Sequence, residues 1–240
     1  MTWSILARDE AGRFGAAIAS RFLAVGALTV HARRGVGILS TQALMNPLYG
    51  PQGLDLLAAG RTPEQAIAML TGADAGCDQR QLHILPAQGR AAAWTGGACI
   101  AWCGHRIEPD FSVAGNMLAG PRVLEATAEA FVAARGRPFG ERLLAALAAG
   151  EAAGGDMRGK QAAALRIQGE EDYAQLDLRV DDHAEPVQEL QRLYRKSLER
   201  AQPFLACLAG RRDPVGIIDR AEIEARIERF QRERERGGAA

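Results

Sequence analysis

Thr2-Trp3-Ser4-Ile5-Leu6-Ala7-Arg8-Asp9-Glu10-Ala11-Gly12-Arg13-Phe14-Gly15-Ala16-Ala17-Ile18-Ala19-Ser20 is the stretch that decides the fold. Apolar and small residues fill 2–8 and 12–20, and the polar turn Asp9-Glu10-Ala11-Gly12 lies between them, so the chain enters a sheet at once as a hairpin or meander. Residues 25–32 and 35–42 read as two more short strands, joined through Arg33-Arg34. Helical spacing follows in residues 50–59, carried by Leu54, Leu57 and Ala58. A second helix opens with Thr62 as its N-cap and Pro63 at its first position.

The pattern then repeats. Strands are expected at 81–86, 91–95 and 111–114, helices at 121–135 and 139–153, and strands again at 162–167 and 176–180. Strands, two helices, strands, two helices, strands is an α+β order, with helices packed outside more than one sheet layer. Residues 185–208 carry a long amphipathic pattern that Pro203 is expected to bend, and a charged helix begins at Asp219. Its narrow stripe of Ile223, Ile227 and Phe230 suits either a solvated helix or a subunit contact. The expected division is a body at 1–184 and a helical extension at 185–240.

Composition excludes several classes of function. The 29 basic and 29 acidic residues cancel and are interspersed, which argues against a nucleic-acid footprint. No apolar run approaches the roughly 18 residues of a membrane span, and Met-Thr-Trp-Ser is no signal peptide, so a cytoplasmic protein without a membrane partner is expected. The 4 cysteines are irregularly spaced and read as reduced thiols. Cys99, Cys103 and His105 make a C-x3-C-x-H cluster that lacks a fourth ligand, so neither a metal nor any other cofactor is expected.

Thr2 carries the chemistry most directly. Methionine before a small residue is normally trimmed, which would leave Thr2 first, with a free α-amino group beside its hydroxyl. An α-amine with a pKa of about 8 can act as general base for that hydroxyl, so one residue supplies both nucleophile and base. Ser4 shares the strand face of Thr2 and either orients the amine or satisfies a buried backbone group.

The motifs Thr2-Trp3-Ser4-Ile5, Ala19-Ser20-Arg21-Phe22 with Ala24-Val25-Gly26, and Thr41-Gln42-Ala43 with Asn46-Pro47 and Tyr49-Gly50 come in one order with four others. Those are Thr95-Gly96 through Gly104-His105, Gly115-Asn116-Met117-Leu118, Glu151 to Asp156 with Arg158-Gly159, and Leu178 to His183. Together they resemble the bacterial family designated domain of unknown function 1028. The resemblance covers about residues 2 to 190. It implies an Ntn-hydrolase-like (N-terminal nucleophile) fold, a four-layer αββα sandwich of two stacked antiparallel sheets between helical layers. It implies no known substrate.

Carried onto this sequence, the resemblance gives Thr2, Asn116 and Asp181 as catalytic candidates. Asn116 would donate to an oxyanion, the alternative being a turn asparagine, and Asp181 would pair the ammonium of Thr2, the alternative being a helix cap for the segment beginning near Glu185. Ser4, Arg21, Gln42, Asn46 and Tyr49 are candidate substrate contacts. So are Asp156, Arg158 and Lys160, a charged group that either anchors a carboxylate or forms an exposed ion network. Cleavage of an amide-like C–N bond in a small polar metabolite is the leading reading. A small-molecule enamine or imine deaminase, and a non-catalytic binding or assembly module, are the alternatives. A symmetric homo-oligomer, most simply a dimer, is expected from the alanine-rich helices and the C-terminal pattern.

Overall fold

The computed structural model describes residues 2–237; Met1, whose removal the sequence leads one to expect, lies outside the described residues. Ten strands and eight helices are described: β1 Thr2–Arg8, β2 Phe14–Ser20, α1 Gly26–Thr29, β3 Val30–Arg33, β4 Gly37–Ala43, α2 Tyr49–Ala58, α3 Pro63–Gly72, β5 Arg80–Pro86, β6 Ala92–Thr95, β7 Gly104–Ile107, β8 Phe111–Asn116, α4 Arg122–Ala133, α5 Phe139–Ala152, β9 Ala162–Gln168, β10 Leu176–Val180, α6 Pro186–Ser197, α7 Ala201–Leu205 and α8 Arg220–Gly237. They fall into two compact units, residues 1–190 and 191–240.

In the first unit, every strand pair is antiparallel. Six strands form one sheet in the order β10-β9-β2-β1-β8-β7, and four form the other as β3-β4-β5-β6. Alternation decides what lies between them. Leu6, Phe14, Ala16 and Ile18 of the larger sheet bury against Ile38 and Leu85 of the smaller, so the sheets stack face to face. Leu39, Leu82 and Ile84 turn the other way, onto Tyr49, Leu54, Ile67 and Leu70 of α2 and α3. On the opposite side α5 lies against β2 so closely that a Cβ at Gly15 would come within 2.5 Å of Leu143 Cδ1. The result is a four-layer αββα sandwich.

Most elements stand where the sequence puts them, including the Thr62 cap, which forms a full capping box with Gln65 before Pro63. Three differ. Residues 25–32 are a helical turn and then β3, because the Thr29 hydroxyl bonds back to the Val25 carbonyl at 2.6 Å and closes the turn. β7 is an unforeseen strand at the edge of the larger sheet; its central residues, His105 and Arg106, are polar and exposed, so it shows no apolar run. In the C-terminal unit the helix breaks at 198–200, ahead of Pro203, which sits in the first turn of α7, where its missing N–H breaks no helical bond.

Candidate functional site

β1 begins where β2, β4, β6 and β8 end, so loops gather around Thr2 at one end of the sandwich. Thr2 stands between Ser20 on β2 and Asn116 on β8 in the antiparallel register. Residues directly opposite in such pairs share a face, which here is the one turned to the smaller sheet. All three are buried, and the Thr2 hydroxyl donates to Ser20 Oγ at 3.1 Å.

Behind this row runs a buried polar network whose proton order can be worked out. Gln81 Nε2 lies 2.8 Å from the Gly115 carbonyl and 3.0 Å from that of Gly104, with Thr95 Oγ1 at 2.9 Å. Carbonyls only accept, so the Gln81 amide nitrogen must face them and its oxygen must face the other way. That oxygen accepts from Asn116 Nδ2 at 3.0 Å and from Gln42 Nε2 at 2.8 Å. The Gln42 oxygen then accepts from Ser4 at 2.7 Å and from Ser40 at 3.3 Å. With its only hydrogen committed, Ser4 must accept from His83 Nε2 at 2.9 Å, and His83 Nδ1 accepts from Ser112 at 2.8 Å. His83 is therefore neutral with its proton on Nε2. Burial, aided by the nearby charge of His105, pushes its pKa down to about 3.

A cavity of about 260 Å³ opens next to Asn116. Ala43, Leu44 and Gln79 line one side; Ala98, Cys99, Ile100 and Met117 line the rest. Two of these hold left-handed backbone without being glycine, Ala43 at φ 66° and Met117 at φ 52°. Such conformations carry strain and cluster at functional sites. The Met117 N–H bonds the Ile100 carbonyl at 2.9 Å, and the Leu44 N–H bonds that of Gln79 at 3.1 Å, which pins both walls. Burial raises the pKa of the Cys99 thiol, with Cys103 adding to the effect, so it is an uncharged wall residue. Among the described residues no three histidine, cysteine or acidic side chains come together as a metal site.

The structure thus brings Thr2, Ser4, Gln42 and Asn116 into one site. Arg21, Asp156 and Arg158 form a cluster next to it. The buried Asp156 carboxylate accepts from the Arg21 N–H at 3.1 Å and the Arg158 N–H at 2.8 Å, and the Arg21 guanidinium holds the Arg158 carbonyl. These bonds tie the 154–160 loop to the end of β2. Lys160 pairs with Glu185 and, at 3.3 Å, with Glu151. Burial pulls its pKa down, but the two carboxylates outweigh that and leave it raised, so it serves as a cation and not as a base.

Asn46 and Tyr49 are turned to a different task. Both donate to Asp74, at 3.2 and 2.8 Å, alongside Arg80 Nε at 3.2 Å. The Tyr49 bond, reinforced by the Gly76 N–H, holds the Asp74 carboxyl well below the usual carboxylate range. Burial and that same carboxylate push the Tyr49 phenol up. Asp181 corrects the expectation that it pairs the Thr2 ammonium. It follows β10, three strands from β1 in the sheet, or about 14 Å at about 4.8 Å per strand, and its carboxylate lies 3.3 Å from Arg179. Ser20, Gln81, His83 and Ser112 are site residues that were not expected. Their signal is a polar residue at every second position of otherwise apolar strands, as in Thr2/Ser4, Ser40/Gln42 and Gln81/His83.

The chain matches the model of the Family of unknown function (DUF1028) over residues 2–190, and it belongs to that family. It is similar to protein SPO2555 from Silicibacter pomeroyi, a solved DUF1028 structure, at 34% identity and a TM-score of 0.84, covering 91% of this chain and 96% of that one. Two further solved structures share only a weak likeness. Thiobacillus denitrificans BPH in complex with epoxomicin is 11% identical at a TM-score of 0.39, covering 70% of this chain and 97% of that one. Anbu (ancestral beta-subunit) from Yersinia bercovieri is 12% identical at 0.40, covering 82% and 94%. These two scores are too low to carry an argument. No curated protein matches the chain.

Proposed function

We propose that this DUF1028 member is a hydrolase that cleaves an amide-like C–N bond with Thr2 as an N-terminal nucleophile. One observation carries the reading: the Thr2 hydroxyl is held by Ser20, in a buried row with Asn116, beside a cavity. After loss of Met1, the Thr2 α-amine takes the hydroxyl proton as Oγ attacks the carbonyl carbon. The tetrahedral oxyanion is stabilised by the second Nδ2 hydrogen of Asn116, whose first is spent on Gln81. The α-ammonium returns the proton to the departing nitrogen, the C–N bond breaks, and an ester to Thr2 remains. Water, deprotonated by the same amine, releases the carboxylic acid and restores the residue.

The test is mass spectrometry of protein from which Met1 has been lost, incubated with a panel of amides and activated esters. An acyl adduct on the N-terminal peptide is expected. Thr2→Ala should abolish it and lower turnover by about 10³-fold or more, while stability changes by only about 1 kcal/mol. Thr2→Ser keeps the hydroxyl but loses the methyl that restricts its rotamer, so partial turnover is expected. Near-normal turnover by folded Thr2→Ala sinks the nucleophile and turns the reading to deamination by water.

A further inference from the structure

We infer that the cavity beside Asn116 receives an uncharged, short aliphatic acyl group, so that the substrate is the amide of a small neutral carboxylic acid. The inference deepens the Thr2 reading and rests on it for the identity of the bond cleaved. Its basis is the composition of the walls. Leu44, Ile100, Met117, Ala43 and Ala98 present hydrocarbon or thioether, and the polar side chains described there are all neutral, the amides of Gln79 and Asn116 and the Cys99 thiol. A charged acyl group would lose its hydration there and gain no counter-charge. Arginines on the adjoining segments are already engaged. Arg80 is paired with Asp74 at 3.2 Å and holds the Leu44 carbonyl, and Arg21 and Arg158 are tied to the 154–160 loop around Asp156.

Size and position limit the group further. About 260 Å³ falls short of the roughly 300–1,000 Å³ of sites for drug-sized ligands, so it sets an upper bound on the group and admits a short acyl chain. Leu44 and Ile100 are 58% and 60% exposed at the mouth, apolar surface that a ligand's hydrocarbon would cover. Asn116 belongs both to this wall and to the Thr2 row, so a carbonyl held at Asn116 has its acyl chain in the cavity and its nitrogen directed away from it. This departs from the polar metabolite expected from the sequence.

Binding of unreactive amides separates this inference from the chemistry of Thr2. Acetamide, propanamide, butanamide and the charged succinamate would be titrated into full-length protein carrying ¹³C-methyl methionine, with the Met117 methyl signal as readout. Affinity should rise about fourfold for each added methylene and succinamate should bind most weakly. Ile100→Asp should flatten the chain-length dependence, and Thr2→Ala should preserve it. Succinamate binding as tightly as butanamide, no dependence on chain length, or no saturable shift with any amide would overturn the inference. If the chain-length dependence holds while p-nitrophenyl butanoate leaves no adduct on Thr2, the nucleophile fails and the acyl site stands. Equal acylation of Thr2 by butanoyl and succinyl esters would leave the nucleophile standing and overturn the acyl site.

Discussion

His83 shows how much chemistry one buried side chain can fix. Its ring joins Ser4 on β1 to Ser112 on β8 across the space between the sheets, at 2.9 and 2.8 Å, with no solvent exposure. Because the donor order descends from the Gly104 and Gly115 carbonyls, ¹⁵N spectra should show a protonated Nε2 and a bare Nδ1 from about pH 5 to 8, where a free histidine titrates. A protonated Nδ1 would refute the order. The same burial makes stability depend on pH. The unfolded chain protonates His83 below about 6.5 and the folded chain only below about 3, so unfolding takes up a proton between those values. Stability from this group is complete above about pH 6.5 and declines as pH falls towards 3. His83→Ala strands two hydroxyls and opens a cavity, at a cost of about 2–4 kcal/mol by denaturant unfolding. The variant should also lose the steepest part of the acid dependence.

The elements that carry the site end in strain. β4 closes on Ala43 and β8 is followed by Met117, both left-handed, and both line the cavity. A left-handed non-glycine residue costs about 1–2 kcal/mol, and a β-branched one more. Ala43→Val should therefore lower stability by about 1–2 kcal/mol, whereas Ala43→Gly should leave it unchanged or slightly raised, since relief of strain is partly offset by a more flexible unfolded chain. Equal denaturation midpoints for the two variants would refute this. Neither strained position is visible in the sequence, because alanine and methionine carry no turn signal. β1, β2 and β5 were legible, since their apolar runs are bounded by turn residues, and so were α3 through Thr62-Pro63 and α5 through Leu143, Leu144 and Leu147. β7 was hidden by its polar residues His105 and Arg106, and Gly26–Thr29 by apolar residues that suit a strand equally well. At the site, Thr2 and Asn116 stood out by type and motif. Gln81 and His83 left only the alternation of polar residues along an apolar strand, and their partners on the other sheet are set by pairing that this alternation does not record.

For the molecule as a whole, the uncovered apolar surface matters most. Phe22, Leu23 and Leu28 follow β2 with 48%, 58% and 48% of their surface exposed, a grouping of large hydrophobics that single soluble bodies seldom leave open. The formal charge of the chain is zero at pH 7, so little long-range repulsion opposes the meeting of two copies. A two-fold dimer that covers Phe22 and Leu23 on each copy is the simplest closed solution, because an isologous contact buries the same patch twice. Light scattering at micromolar concentration should give twice the chain mass, and Phe22→Glu with Leu23→Glu should give a monomer that melts as a folded protein. A monomer mass for the unaltered chain would reject the assembly. A dimer that survives both substitutions would place the contact elsewhere. Because Arg21 precedes this patch and is held by Asp156 and Arg158, a dimer formed here would also brace the loop beside Thr2. The monomeric variant should then turn over its substrate more slowly at equal fold stability, so the mass and the rate would change together.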